Sequence, residues 1–296
     1  MRHRVREVQI FSSPNKRSPL IGLHRSKLRG RGVDFDQVRI YQAGDDVRTI
    51  DWRVTARTQE PHTKLFHEER ERPIFLLIEQ TPRLYFGSSL CFKSVLAAQA
   101  AALLGWSALT HNDRVGGLVF TQTQQFEIRP RRHKQALLQL LNRLANANQC
   151  LEAATEPVTD ALAPALRRTR EVLRPGSLVL MICDERSLTQ QVEQQLEFLS
   201  RHTDVVLLPL SDPLDHHLPK AGLLRFAQGN SELTVDSEHN TLGEAYAELA
   251  NNRQLNWQRF AKRLRIPLLP LSTSADVVEQ FKALLDAPAP VIPHEH

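Results

Sequence analysis

Few residue patterns in this 296-residue chain could carry chemistry, and the clearest ones follow short apolar runs. Glu79-Gln80-Thr81-Pro82-Arg83 follows Ile74–Ile78, and Asp184-Glu185 follows Leu178–Cys183. A hard divalent cation such as Mg²⁺ takes oxygen ligands from carboxylates and hydroxyls, with waters completing its shell. Glu79, Thr81, Thr159 (before a helix) and Asp184 supply such donors. Arg83 opposes that use. Its guanidinium would repel a cation and could pair with Asp184 or Glu79 instead. Asp184 has a second reading of equal weight, a carboxylate favoured by the dipole of a following helix.

A second pattern is the alternating-charge stretch containing Asp45, Asp46, Arg48, Asp51, Trp52, Arg53 and Arg57. Its functional readings are a docking surface or a catalytic acid cluster, and a hydrolase using Asp45, Asp46 and Asp51 is the rival function. The structural reading is an internal ion-pair network, favoured because no nucleophile with a partnered base accompanies these residues. If Thr49–Thr58 is a strand, Asp51, Arg53 and Arg57 share one face and Trp52 is buried on the other. Truncating a buried Trp52 would then cost about 3–5 kcal/mol. The common phosphate-loop, zinc-protease, serine-hydrolase and dinucleotide signatures do not occur. His216-His217 lacks a second ligand pair, and His62 and His67 would point to opposite faces of a strand.

The elements that must position these groups follow from periodicity. Val33–Tyr41 reads as a strand, and Thr49–Thr58 and His62–Arg70 read as strands joined by Gln59-Glu60-Pro61. Ile74–Ile78, Leu178–Asp184 and Val205–Pro209 are continuous apolar runs, the mark of strands covered on both faces. Val115–Phe120, Gln125–Arg129 and Ile266–Leu271 read as further strands. Helices are expected at Phe92–Thr110, His133–Leu144, Asp160–Leu173, Leu188–Arg201, Thr241–Arg265 and Ala275–Leu285. After Asp212-Pro213, the region to Asn240 reads as irregular, with room for a hairpin. Buried strands alternating with amphipathic helices imply right-handed crossovers and an α/β, doubly wound, mostly parallel sheet. Ligands bind such sheets beyond the strands' carboxyl ends, where the strand order switches. The expected organisation is a basic, weakly structured leader (1–32), a β-rich segment packed on the main domain (33–72), the α/β domain (73–286) and a loose tail (287–296).

Composition narrows the class. Apolar residues make up 41% and charged residues 24%, ordinary values for a globular protein. No apolar run approaches the roughly 18 residues that cross a bilayer, and no apolar segment follows the charged start. Cys91, Cys150 and Cys183 show no paired spacing, which fits a cytoplasmic protein. Net charge is +5, with a basic run between Lys16 and Arg31. That run reads as a solvated leader or as a surface for nucleic acid, acidic lipid or an acidic protein. No aromatic platform accompanies it, so nucleic acid is not expected.

One long motif adds a family. Gly44-Asp45-Asp46-Val47-Arg48-Thr49-Ile50-Asp51-Trp52-Arg53-Val54-Thr55-Ala56-Arg57-Thr58 resembles the signature of the Domain of Unknown Function 58 family. The lead-in Arg29–Tyr41, the sequel Lys64–Glu71, Phe86-Gly87, Lys93, Asp113-Arg114-Val115-Gly116 and Arg129-Pro130 extend the likeness over roughly residues 22–210. The resemblance implies a von Willebrand factor A-like domain, a Rossmann-like sheet with a metal-ion-dependent adhesion site. It also implies a non-enzymatic adaptor role beside MoxR-type AAA+ ATPases in assembly or maturation of other complexes. Other von Willebrand A-domain proteins and peripheral membrane association are further expected contacts. The family's Asp-x-Ser-x-Ser loop falls on Glu79-Gln80-Thr81-Pro82-Arg83, its threonine loop on Thr159-Asp160 and its later aspartate on Asp184. Glu79, Thr81 and Arg83 all depart from the pattern. The expected site is therefore degenerate, binding Mg²⁺ weakly or not at all, with Arg83, Glu79 and Asp184 meeting a partner directly.

Overall fold

The computed structural model describes residues 1–7, 34–67, 73–152, 160–228, 231–238 and 240–286. The expectations for Thr159, for the basic run Lys16–Arg31 and for the tail 287–296 lie outside the described residues. The chain divides into two units, Arg25–Glu71 and the remainder.

In the smaller unit, β1 (Asp34–Ile40) pairs antiparallel with β2 (His62–His67). The strand expected over Thr49–Thr58 is absent. A 3-10 turn, Val47–Thr49, and a helix, α1 (Trp52–Thr58), stand in its place. Asp51 decides this locally. Its carboxylate accepts from the backbone N–H of Arg53 and Val54 at 3.0 and 3.2 Å, satisfying donors that a first helical turn leaves open. Gln59, at φ 60°, ends the helix in the left-handed region. Asp51, Arg53 and Arg57 therefore do not share a strand face, and Trp52 is 71% exposed rather than buried. Trp52→Ala is expected to change stability by no more than about 0.5 kcal/mol, read as a melting shift of under about 2 °C.

The larger unit runs β3 (Pro73–Glu79), α2 (Lys93–Thr110), β4 (Arg114–Phe120), β5 (Gln125–Arg131), α3 (Lys134–Gln149), α4 (Leu162–Val172), β6 (Leu178–Asp184), α5 (Gln190–Ser200) and β7 (Asp204–Ser211). It continues through a one-turn helix α6 (Pro213–His216), a hairpin of β8 (Leu223–Gln228) and β9 (Ser231–Asp236), α7 (Asn240–Leu264), β10 (Leu271–Ser272) and α8 (Val277–Asp286). The sheet order is β10-β7-β6-β3-β4-β5, parallel except for β5 at one edge. This is the expected α/β class with a doubly wound, mostly parallel sheet. The last strand is shorter than expected, because Pro267 and Pro270 remove two ladder donors from Ile266–Leu271.

Side-chain alternation along β3 builds two apolar layers. Ile74, Leu76 and Ile78 pack with Leu96 and Leu103 of α2, Leu140 of α3 and Phe281 of α8. Phe75 and Leu77 face the other way, toward Leu166 of α4, Leu196 of α5 and Trp257 and Phe260 of α7. Residues 2–7, expected in a loose leader, form a 3-10 helix anchored on this unit. Arg4 pairs both terminal guanidinium nitrogens with Asp276 at 2.7 and 2.9 Å, and Val5 is buried. Among the described residues no helix is long and apolar enough to cross a membrane.

Candidate functional site

From β3 the chain crosses to β4 on one side, and it later reaches β6 on the other. The carboxyl ends of β3 and β6 are therefore the switch point, and Glu79 and Asp184 end those two strands. The structure brings them together. The Asp184 backbone N–H donates to Glu79 Oε2 at 2.9 Å. Thr81 Oγ1 donates to Glu79 Oε1 at 2.6 Å, and Ser187 Oγ donates to Oε2 at 3.0 Å. Burial, followed by the nearby Asp184 charge, pushes the Glu79 carboxyl above its ordinary range despite these hydrogen bonds.

Asp184 is fully buried, and its charge is matched on the spot. Lys93 Nζ donates to Asp184 Oδ2 at 2.6 Å and to Asp215 Oδ2 at 2.8 Å. Arg186 donates to Asp184 Oδ1 through Nε at 2.9 Å and to Oδ2 through Nη2 at 3.1 Å. Burial alone raises the Asp184 carboxyl, but the Lys93 ammonium and the Arg186 guanidinium outweigh it and hold it at about 2. Asp184 also accepts from the Arg186 backbone N–H at 2.8 Å, capping the 3-10 turn Glu185–Ser187.

Neighbouring loops extend the network. Asp212 caps α6 through Leu214 N and also accepts from Ser88 N, Ser88 Oγ and Thr273 Oγ1. Burial raises its carboxyl, and these hydrogen bonds outweigh burial and lower it. Glu185 meets His216 Nε2 at 2.9 Å, while its carbonyl accepts from Trp257 Nε1 at 2.8 Å. His216 Nε2 is thus engaged by Glu185, and its Nδ1 meets Gln254 Nε2 at 2.8 Å.

The strand-end carboxylates are engaged with neighbouring side chains. Each carboxylate oxygen of Glu79 and Asp184 already accepts a hydrogen bond, and two side-chain cations neutralise the aspartates. Among the described residues no three His, Cys, Asp or Glu side chains converge where a metal ion could sit. Arg83 lies at the rim, donating to the Arg186 carbonyl at 3.2 Å, while Arg186 Nη2 returns a bond to the Arg83 carbonyl at 3.2 Å. Glu79 and Asp184 are buried. Of the three residues expected to meet a partner, Arg83 is the one with exposed surface.

Sequence reasoning missed the other half of the site. Lys93 opens a helix whose next residues are almost all small or apolar, an unusual place for a lone cation. Asp212-Pro213 with Asp215 three residues on is a readable capping pattern. Ser187 and Arg186 carry no such mark.

In the smaller unit, the acids of the signature stretch serve the backbone. Asp45 Oδ2 accepts from Gln42 N at 3.0 Å and Oδ1 from Arg39 Nη2 at 2.7 Å. That hydrogen bond from Gln42, then the one from Arg39, holds its carboxyl below the usual range. Asp46 caps the 3-10 turn through Arg48 N, and Asp51 caps α1. Arg48, Trp52, Arg53 and Arg57 point to solvent.

Among known proteins, an uncharacterized protein of Mycobacterium tuberculosis (strain ATCC 25618 / H37Rv), Rv1480, is 28% identical over 261 residues, covering 87% of this chain and 80% of that one. The conserved hypothetical protein BatB from Bacteroides thetaiotaomicron is similar in structure at 11% identity and a TM-score of 0.46, covering 73% of this chain and 100% of that one. The SpRpn10 VWA domain matches at 10% identity and a TM-score of 0.34, over 76% and 100% of the two chains. A family model matches residues 37–256, most of the chain, and the protein belongs to the family described as protein of unknown function DUF58.

Proposed function

We propose that this chain is a non-enzymatic cytoplasmic adaptor that works with a MoxR-type AAA+ ATPase in assembly or maturation of other protein complexes. The observation that carries the reading is one pinned, apolar loop beside the switch point. Residues 85–92 present Tyr85, Phe86, Leu90 and Phe92 at 41, 37, 69 and 42% exposure. Exposed apolar side chains gathered on one short segment mark interaction surfaces. The loop is held in place before any partner arrives. Ser88 N donates to Asp212 Oδ2 at 2.8 Å, Leu90 N to the Thr273 carbonyl at 3.1 Å and Lys93 N to the Phe86 carbonyl at 2.8 Å. Gly87 lets it close, since a Cβ there would lie 2.3 Å from the Cys91 carbonyl oxygen. Preorganisation of this kind lowers the cost of binding.

Arg83, two residues before this loop, is partly exposed and bonded to the Arg186 carbonyl. The partner surface that fits carries apolar side chains. The rival hydrolase loses support, because Asp45, Asp46 and Asp51 are spent on a turn and two caps. The test is an equilibrium titration of the purified chain against the purified MoxR-type ATPase of the same cell, with ATP and with ADP. Leu90→Asp is expected to weaken binding at least about tenfold, since it buries a charge in an apolar contact. Its melting temperature should stay that of the wild type, because Leu90 is largely exposed. No binding in either nucleotide state removes the ATPase as the partner.

A further inference from the structure

We infer that the Lys93 ammonium is the permanent cation of the strand-end site, joining Asp184 to Asp215 where a divalent ion would otherwise bridge carboxylates. The assignment concerns this site's own chemistry. It deepens the adaptor reading by making the docking surface independent of metal, but it does not depend on any partner.

Four observations carry it. Lys93 is completely buried, a rare state for lysine unless its charge is paired. Its nitrogen lies within 2.6 and 2.8 Å of two carboxylates from different segments, the end of β6 and the helix α6. It stands at the first turn of α2, where the helix dipole opposes a positive charge, so local helix energetics do not explain it. The Phe86 ring lies over the ammonium at 5.6 Å to its centroid, placing a π face on the side of the aromatic loop. Other charges nearby are Arg186, 3.9 Å from Asp215 Oδ1, Asp212, whose backbone N–H donates to Asp215 Oδ2 at 2.9 Å, and Glu79, which is bonded to Thr81 and Ser187.

An ammonium offers three donors and one charge on a flexible stem, and here it is covalently tethered. It ties β6, α2 and α6 together and sits beneath Phe86. A tethered cation cannot be removed by chelation, and it leaves no oxygen cage for Mg²⁺ to enter.

The test is an electron paramagnetic resonance titration of Mn²⁺ with the full chain, reading the free-ion signal. The wild type is expected to leave that signal unchanged at about 100 µM Mn²⁺, the weak end of protein sites for hard cations. Lys93→Ser removes the tethered charge and admits water. It is expected to take up one Mn²⁺ at least about tenfold more tightly than the wild type, with the uptake abolished in Lys93→Ser/Asp184→Asn. A folded Lys93→Ser protein that takes up no Mn²⁺ overturns the assignment. So does a wild-type protein that binds Mn²⁺ below about 100 µM and loses it in Asp184→Asn, whether or not any Lys93 variant folds. Failure of the ATPase to bind leaves this result untouched, so the two readings fail separately.

Discussion

Replacing Lys93 by methionine is expected to lower stability by about 3–5 kcal/mol at neutral pH. Methionine keeps the length and apolar stem of the side chain but removes the ammonium. Asp184 and Asp215 then share a buried site with one guanidinium instead of two cations. Removing one member of a buried ion pair costs more than the pair contributes, because the other charge stays desolvated. The pH dependence gives a second readout. The Asp184 carboxyl is depressed to about 2 in the folded protein. Its contribution is therefore complete above the ordinary aspartate value, about 4, and is lost as pH falls from there toward about 2. The deficit of Lys93→Met should be largest at pH 7 and shrink below about pH 4. Adding Asp184→Asn to Lys93→Met should recover part of the loss. Urea unfolding of the three proteins at pH 7 and pH 3.5 checks this, and an unchanged midpoint for Lys93→Met would contradict it.

Trp257→Ala is expected to cost about 3–5 kcal/mol. The indole is 3% exposed and packs with Phe75, Leu77 and Phe260 beneath the sheet. Its Nε1 donates to the Glu185 carbonyl at 2.8 Å, so it also ties α7 to the loop that follows β6. Truncation leaves a cavity and an unpaired carbonyl together. Trp257→Phe keeps most of the packing and should fall between the two. Differential scanning calorimetry should place Trp257→Ala at least about 6 °C below the wild type, with Trp52→Ala unchanged beside it. Equal shifts for the two tryptophans would show that burial has been misassigned.

Those two tryptophans also mark what was legible in the sequence. The runs Ile74–Ile78 and Leu178–Cys183 are apolar at every position, and that continuity reports burial on both faces without ambiguity. Strand, class and switch point followed from it, and Glu79 and Asp184 lay where the topology said. Trp52 misled because burial was inferred from a strand that Asp51 forbids. A single capping carboxylate, worth about 1 kcal/mol, decides between helix and strand in a segment without strong periodicity. The charge network was illegible for another reason. Lys93, Asp184 and Asp215 are separated by long stretches of sequence, and only the parallel crossovers bring them together. Nothing local to Lys93 announces its partners, although a lone lysine opening an Ala- and Leu-rich helix signals that partners exist. The residues singled out by the family likeness, Glu79 and Asp184, lie together at the strand ends, with Lys93 against Asp184.

The central claim, that the loop beside the switch point is the docking surface, is tested most directly by hydrogen exchange on the protein mixed with the MoxR-type ATPase and ATP. The account predicts added protection over residues 83–93 and around Arg186, with the β4–β5 edge of the sheet unchanged. Protection confined to that edge, or exchange in the loop unaltered in a complex shown to have formed, would contradict it.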